Sequence, residues 1–280
     1  MKELLGKPVA DAILASLAPE VEKLKENGVV PRLAVVRVGD REDDLAYERG
    51  LTKRFEGAAC DVKKIELSHN VSQGELDSAV EECDKDHLID GILMFRPLPS
   101  WLDDIKIVNK ISALKDVDGM GKANMAEIFA GSGKGHAPCT AQAVIEMLKF
   151  YGIELKGKKV TVVGRSLVIG KPVAMLLMKE NATVKVCHTK TEDLKAECQW
   201  ADIVVACAGK AKMLTKEYFR EGQTVIDVGM NVDDEGKLCG DVDFEEVSKI
   251  VDAITPVPRG VGSVTTSVLL KAVVENAWYR

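Results

Sequence analysis

An α/β protein of two domains, the second built on a doubly wound parallel sheet, is what the sequence predicts. Three observations carry this. Short apolar, β-branched runs alternate with segments of helical spacing along the chain. The alternation halts in a region rich in Gly, Asp and Lys (113–134) and restarts after Gly157. A chain of 280 residues is also long for one ordinary domain and comfortable for two.

The elements follow in order. Residues 9–27 have the apolar spacing of a helix, ended by Gly28. Leu33 to Val38 is a short apolar strand closing on Gly39-Asp40. A helix is expected over 43–59, a strand over 62–67 and a helix over 72–83. Gly91-Ile92-Leu93-Met94 is a buried-strand candidate that runs into Pro97-Leu98-Pro99. Residues 113–134 lack periodicity and are expected to form a long functional loop. After Pro138-Cys139-Thr140 a helix is expected to about Tyr151. Strands are expected at 159–163, 183–187, 203–206, 224–228 and about 252–254, with helices between most of them. A last helix, about 265–277, lies beyond the loop Pro256–Gly262.

Composition narrows the function classes. Hydrophobic residues are 46% and charged residues 29% of the chain, the balance of a globular protein. A net charge of −6 gives no electrostatic reason to expect nucleic acid or an anionic membrane as partner. No apolar run is long enough to span a bilayer, and the charges in MKELLGKPVADAILASL suit an amphipathic helix rather than a signal peptide. The seven cysteines form no C-x-x-C pair, so no metal site is expected. Reduced thiols in a cytoplasmic protein are the simplest reading.

The chemistry-bearing motif is Lys159-Val-Thr-Val-Val-Gly164-Arg-Ser-Leu-Val-Ile-Gly170-Lys-Pro172. An apolar strand feeds a glycine turn and then a helix. Such a turn lets backbone approach a phosphate closely, and the helix start offers free N–H groups to it. Pro172 suits a first helical turn. The pattern is G-x-S-x-x-x-G rather than G-x-G-x-x-G, so an ordinary tight strand-to-helix turn is the competing reading. The next strand ends His188-Thr189-Lys190, with no carboxylate for a ribose 2′-hydroxyl. Lys190, and Arg165 in the turn, favour a 2′-phosphate. This points to NADP, with NAD as the other choice.

Five stretches stand together: Val38-Gly39-Asp40 with Tyr47; Gly91–Met94 with Pro97-Leu98-Pro99; Lys115-Asp-Val-Asp-Gly119; Gly164 to Pro172; and Thr255-Pro-Val-Pro-Arg-Gly-Val-Gly262. In this order and spacing they resemble the methylenetetrahydrofolate dehydrogenase/cyclohydrolase family over essentially the whole chain. The resemblance implies an N-terminal α/β catalytic domain completed by the C-terminal helix (1–141 plus 261–280) and a Rossmann-type dinucleotide-binding domain (142–260). It implies tetrahydrofolate derivatives as substrates and a homodimer. The implied reaction oxidises 5,10-methylenetetrahydrofolate to the 5,10-methenyl form. Most members then hydrolyse that product to 10-formyltetrahydrofolate.

Residue by residue, Tyr47 matches the tyrosine that packs on the folate ring, and Asp118 the aspartate that accepts from the pterin N–H groups. These two are the expected catalytic residues. Pro258, Val261 and Gly262 match the loop that closes over substrate. Gly164, Arg165, Ser166 and Gly170 match the phosphate and ribose contacts, and Thr189 and Met230 match cofactor-lining positions. Each has a plain structural alternative: Tyr47 as a core residue, Asp118-Gly119 as a turn, the 256–262 loop as a rigid connector.

Two departures stand out. The family lysine one helical turn after the tyrosine is Leu51, on one face with Tyr47 and Phe55. Lys53 lies about 120° round the helix and cannot simply replace it. The family glutamine before Pro-Leu-Pro is Phe95, followed by Arg96. Leu51 and Phe95 are thus expected to line the substrate site without the polar groups that activate water. Hydride transfer needs chiefly positioning. A dehydrogenase with absent or weak cyclohydrolase activity is the expectation. The alternatives are the usual bifunctional enzyme, with Arg96 or Lys53 compensating, and an inactive folate- or nucleotide-binding protein. Arg259 and Ser263 also depart from the usual Gly and Pro.

Overall fold

The computed structural model describes residues 1–280. From the N-terminus come β1 (Lys2–Glu3), α1 (Gly6–Glu26), β2 (Arg32–Val38), α2 (Glu42–Gly57), β3 (Asp61–Leu67), α3 (Gln73–Lys85) and β4 (Gly91–Met94). They are followed by α4 (Asp104–Val108), α5 (Lys122–Ala130) and α6 (Cys139–Phe150). The second half holds β5 (Lys159–Val163), α7 (Gly170–Lys179), β6 (Thr183–Cys187), α8 (Leu194–Trp200), β7 (Ile203–Ala206) and β8 (Thr224–Asp227). Then come β9 (Asn231–Val232), β10 (Leu238–Cys239), α9 (Phe244–Val247), β11 (Ala253–Ile254) and α10 (Thr265–Ala277).

The chain forms two compact units. One comprises Ala12–Cys139 with Thr266–Arg280, the other Met1–Asp11 with Thr140–Thr265. The first holds a three-stranded parallel sheet in the order β3-β2-β4. Central β2 is buried along nearly its whole length, which is why it is a continuous apolar run rather than an alternating one. Helix α3 starts at a capping box in which Ser72 Oγ accepts from Glu75 N–H and Glu75 Oε2 accepts from Ser72 N–H. Helix α10 completes this unit. A Cβ on Gly91 would meet Val273 at 2.9 Å, and Asn276 Nδ2 donates to the Asp90 carbonyl at 2.9 Å.

The second unit is built on a six-stranded sheet, β1-β11-β8-β7-β5-β6, parallel throughout. From β5 the chain steps to β6 on one side and then to β7, β8 and β11 on the other. That reversal puts the topological switch point at the C-terminal end of β5, where doubly wound sheets bind ligands.

The structure differs from the sequence reading in places. The first eleven residues belong to the second unit, not the first, because β1 adds to its sheet edge with Lys2 opposite Ala253. The region 113–134 is not one loop: it contains α5, whose only buried side chain is the polar Asn124. With no apolar stripe, periodicity could not reveal it. The two-residue strands β1, β9 and β10, and the five-residue α4, are too short to leave a pattern, whereas β11 falls where a strand is expected. All seven cysteines are free and buried, and no helix is long and apolar enough to cross a membrane.

Candidate active site

The glycine turn begins where β5 ends. Gly164 has φ +134°, outside the range of most L residues, and a Cβ there would sit 2.3 Å from the Cys207 carbonyl oxygen. Gly170 opens α7, and a Cβ on it would lie 2.3 Å from the Gly164 carbonyl oxygen. The two glycines therefore let three backbone segments meet at the switch point. Ser166 Oγ accepts from Ile169 N–H at 3.1 Å, which stiffens the turn. Arg165 and Ser166 are exposed, as are Thr189 and Lys190 beyond β6. No carboxylate ends β6: Asp193, further on, is taken up as the α8 cap by accepting from Ala196 N–H. The donor set fits a dinucleotide phosphorylated on its ribose: backbone N–H groups at a ten-residue helix start, with a guanidinium and an ammonium beside them.

Two buried carboxylates hold the neighbouring loops and escaped the sequence reading. Asp241 accepts from Ala208, Gly209 and Lys210 N–H after β7 and from Asn231 Nδ2. Asp227 accepts from Gly229, Asp241 and Val242 N–H. Burial pushes the Asp227 carboxyl up to about 7 despite these bonds. The signal lay in the flanking glycines: a Cβ on Gly229 would meet Asp241 at 2.4 Å, and one on Gly240 would meet Asp227 at 1.8 Å. Met230, beyond β8, is 69% exposed and its Cε lies 3.3 Å from a Cβ built on Gly262.

The loop 255–262 packs tightly. Thr255 Oγ1 is buried and bonds the backbone of Asp227 in both directions. Pro258 and Gly262 are exposed. Val261, expected on the substrate-closing loop, is buried. Arg259 has φ +84° where the resembled family carries glycine, and its Nη2 pairs with Glu3 at 3.1 Å. Pro258 and Arg259 line a pocket of about 550 Å³ with the β9–β10 hairpin, which holds none of the turn or ring-binding residues.

In the other unit, Tyr47, Phe95, Arg96 and Asp118 line one pocket of about 390 Å³. The Tyr47 and Phe95 rings lie 5.5 Å apart at 57°, a tilted aromatic pair. Tyr47 is 43% exposed, whereas the buried face of α2 is Glu48, Leu51 and Phe55. Of the expected Tyr47–Leu51–Phe55 stripe, Leu51 and Phe55 are buried together while Tyr47 stands at the pocket; Leu51, expected to line the substrate site, is 1% exposed and is not among the pocket's lining residues. An apolar side chain one turn from the tyrosine gains more from the core than from the rim. Lys53 is exposed.

Asp118 stands half-buried at the pocket. Burial and the nearby Asp116 push its carboxyl up to about 6, against Arg96 and donors from Cys139 at the start of α6. Its backbone is set by Gly119, at φ +64°, where a Cβ would lie 2.4 Å from the His136 carbonyl oxygen. Asp116, which the sequence did not single out, organises the segment by accepting from Met120 N–H, Gly121 N–H and Asn124 Nδ2.

Comparison with known proteins bears on the whole chain. Residues 4–118 match the family described as tetrahydrofolate dehydrogenase/cyclohydrolase, catalytic domain, and residues 138–280 match its NAD(P)-binding domain. A "Bifunctional protein FolD" from Clostridium botulinum is 48% identical over 276 residues, 99% of this chain and 98% of that protein. The structure is similar to the FolD methylenetetrahydrofolate dehydrogenase/cyclohydrolase of Campylobacter jejuni, with TM-score 0.97 and 38% identity over 100% of this chain and 99% of that one. It is also similar to the Trypanosoma brucei enzyme, described as complexed with NADP and an inhibitor, with TM-score 0.92 and 35% identity over 99% and 97% of the two chains. A two-unit α/β chain with a glycine turn at its switch point, matched along its length in this way, belongs to the tetrahydrofolate dehydrogenase/cyclohydrolase family.

Proposed function

We propose that this protein oxidises 5,10-methylenetetrahydrofolate to 5,10-methenyltetrahydrofolate with NADP, and that its cyclohydrolase activity is absent or weak. The observation that carries the second clause is the pocket wall. Phe95 packs against Tyr47 in the glutamine slot, Leu51 is buried in the lysine slot, and no lysine lines the pocket. Hydrolysis needs a group that orients and deprotonates water, which neither Phe nor Leu does. When bound, the nicotinamide supplies the hydride acceptor.

The chain's own residues do the positioning. Tyr47 offers an aromatic face to the folate ring, and Asp118 accepts from the pterin N–H edge once it is ionised. Gly164, Ser166 and Gly170 hold the pyrophosphate turn. Arg165 and Thr189 flank the ribose, and their open donors, with no carboxylate at the end of β6, support NADP over NAD. The T. brucei relative described with NADP supports the same choice. In this reading Met230, Pro258 and Gly262 are the positions that the resemblance assigns to the cofactor and substrate. A homodimer in the cytoplasm belongs to this reading.

The relatives' names favour the broader reading, a bifunctional enzyme that also forms 10-formyltetrahydrofolate, better than the restricted one. Purified protein supplied with methylenetetrahydrofolate and either cofactor tests the dehydrogenase claim. NADP reduction faster than NAD reduction is expected, and no reduction of either overturns it. Phe95→Gln is expected to raise any methenyl hydrolysis. An unchanged rate counts against Phe95 as a cause of its weakness.

A further inference from the structure

Arg96 has no role in the reading above, yet it stands in the pocket with Tyr47 and Asp118. A guanidinium carries five N–H donors and no acceptor. One nitrogen, Nη1, is held by Asp104 Oδ2 at 3.1 Å, and the structure gives the guanidinium no second acceptor in the protein. Its side chain is 23% exposed, so the remaining donors sit on a pocket wall rather than in bulk water. The other cation of that wall, Arg41, is taken up by a two-point pair with Asp44 at 3.0 and 2.9 Å. Arg96 also lies close enough to Asp118 to oppose the effect of burial on its carboxyl.

The ligand chemistry asks for such a group. A pterin presents an exocyclic amino group and a ring N–H along one edge, and a carbonyl oxygen directly beside that N–H. A carboxylate satisfies the two donors. The carbonyl needs a donor of its own. We propose that Arg96 is a substrate-binding residue that donates to the pterin carbonyl beside the N–H edge taken by Asp118, with Asp104 fixing the guanidinium. The proposal rests on the folate reading above. It gives the Phe95-Arg96 pair a consistent sense: the polar group lost from one position is supplied one residue later, as a binder rather than a base.

Calorimetric titration of wild type, R96L and R96K with folic acid, and separately with NADP, tests this without turnover. R96L is expected to weaken folic acid about tenfold or more, the size of one charge-assisted hydrogen bond, while NADP affinity stays within about twofold. R96K, which keeps the charge and loses the fork, is expected to fall between. D104N is expected to weaken folic acid by about threefold through a looser guanidinium. R96Q replaces R96L under the same criterion if R96L does not fold. Folic acid affinity in R96L within about twofold of wild type overturns the proposal. A wild type that binds folic acid but reduces no cofactor with methylenetetrahydrofolate overturns the dehydrogenase reading and leaves Arg96 to be judged on its binding data. A wild type that does not bind folic acid overturns both.

Discussion

Gly164 is a residue whose every substituent is excluded on two grounds, φ and space. A Gly164→Ala side chain would be strained at φ +134° and would press on the Cys207 carbonyl at 2.3 Å. The variant is expected to lose about 2 kcal/mol or more of stability and most of its NADP affinity, measurable by urea unfolding and by NADP titration. Unchanged NADP affinity would remove the turn from the cofactor site. Asp118 carries a pH signature. With its carboxyl raised to about 6, the pterin-binding role proposed for it requires a pH above that value, so the KM for methylenetetrahydrofolate is expected to rise as pH falls through 6. Asp118→Asn is expected to raise KM and flatten that acid limb. These residues were legible in the sequence because their motifs are local. Asp227, Asp241 and Asp116 were not, because what each does is collect backbone N–H groups from segments far along the chain.

At the scale of elements, α2 carries Tyr47 and is fastened by an ion network that periodicity does not show. Glu48, beside Tyr47, is buried and takes Arg37 at 3.1 Å and Lys64 at 2.9 Å, and Arg37 also reaches Glu66 at 3.2 Å. The network ties the helix to β2 and β3. Glu48→Ala leaves the buried Arg37 without its principal partner and is expected to cost about 3–5 kcal/mol, against less for Glu48→Gln. Denaturant midpoints of the two variants check this, and equal, small losses would mean the network does not hold the helix. The sequence places α2 and the burial of Leu51 and Phe55 correctly but not Glu48 in place of Tyr47 on that buried face, since a charged residue on the core side looks like a surface residue until its partners are known. Helix α5 was missed for a related reason: its one buried residue, Asn124, is held by hydrogen bonds to Asp116 and the Ala113 carbonyl rather than by apolar contact.

For the whole molecule, the strand–helix alternation was enough to foresee the doubly wound sheet, because parallel strands buried on both faces are apolar runs of recognisable length. The unit boundary at the N-terminus was not foreseeable, since two residues of β1 leave no pattern and their pairing with β11 is made across the length of the chain. The molecule's acid–base behaviour also follows from its buried carboxyls. Asp227 and Asp118 are raised on folding from 3.8 to about 7 and about 6. Between those limits the folded protein holds protons that the unfolded chain has released, so stability falls as pH rises from about 4 to 7 and levels off above. Urea midpoints at pH 5 and pH 8 test the sign, and Asp227→Asn is expected to flatten the difference. A higher midpoint at pH 8 than at pH 5 would contradict these two groups as the governing ones.

The central claim is that this member of the family has kept hydride transfer and lost most of its water chemistry through Leu51 and Phe95. The most direct measurement is the decay of 5,10-methenyltetrahydrofolate absorbance with and without enzyme, in a preparation already shown to reduce NADP with methylenetetrahydrofolate. Decay close to the uncatalysed rate is expected. Rapid enzyme-dependent decay to 10-formyltetrahydrofolate would contradict it and establish the bifunctional enzyme that the relatives' names describe.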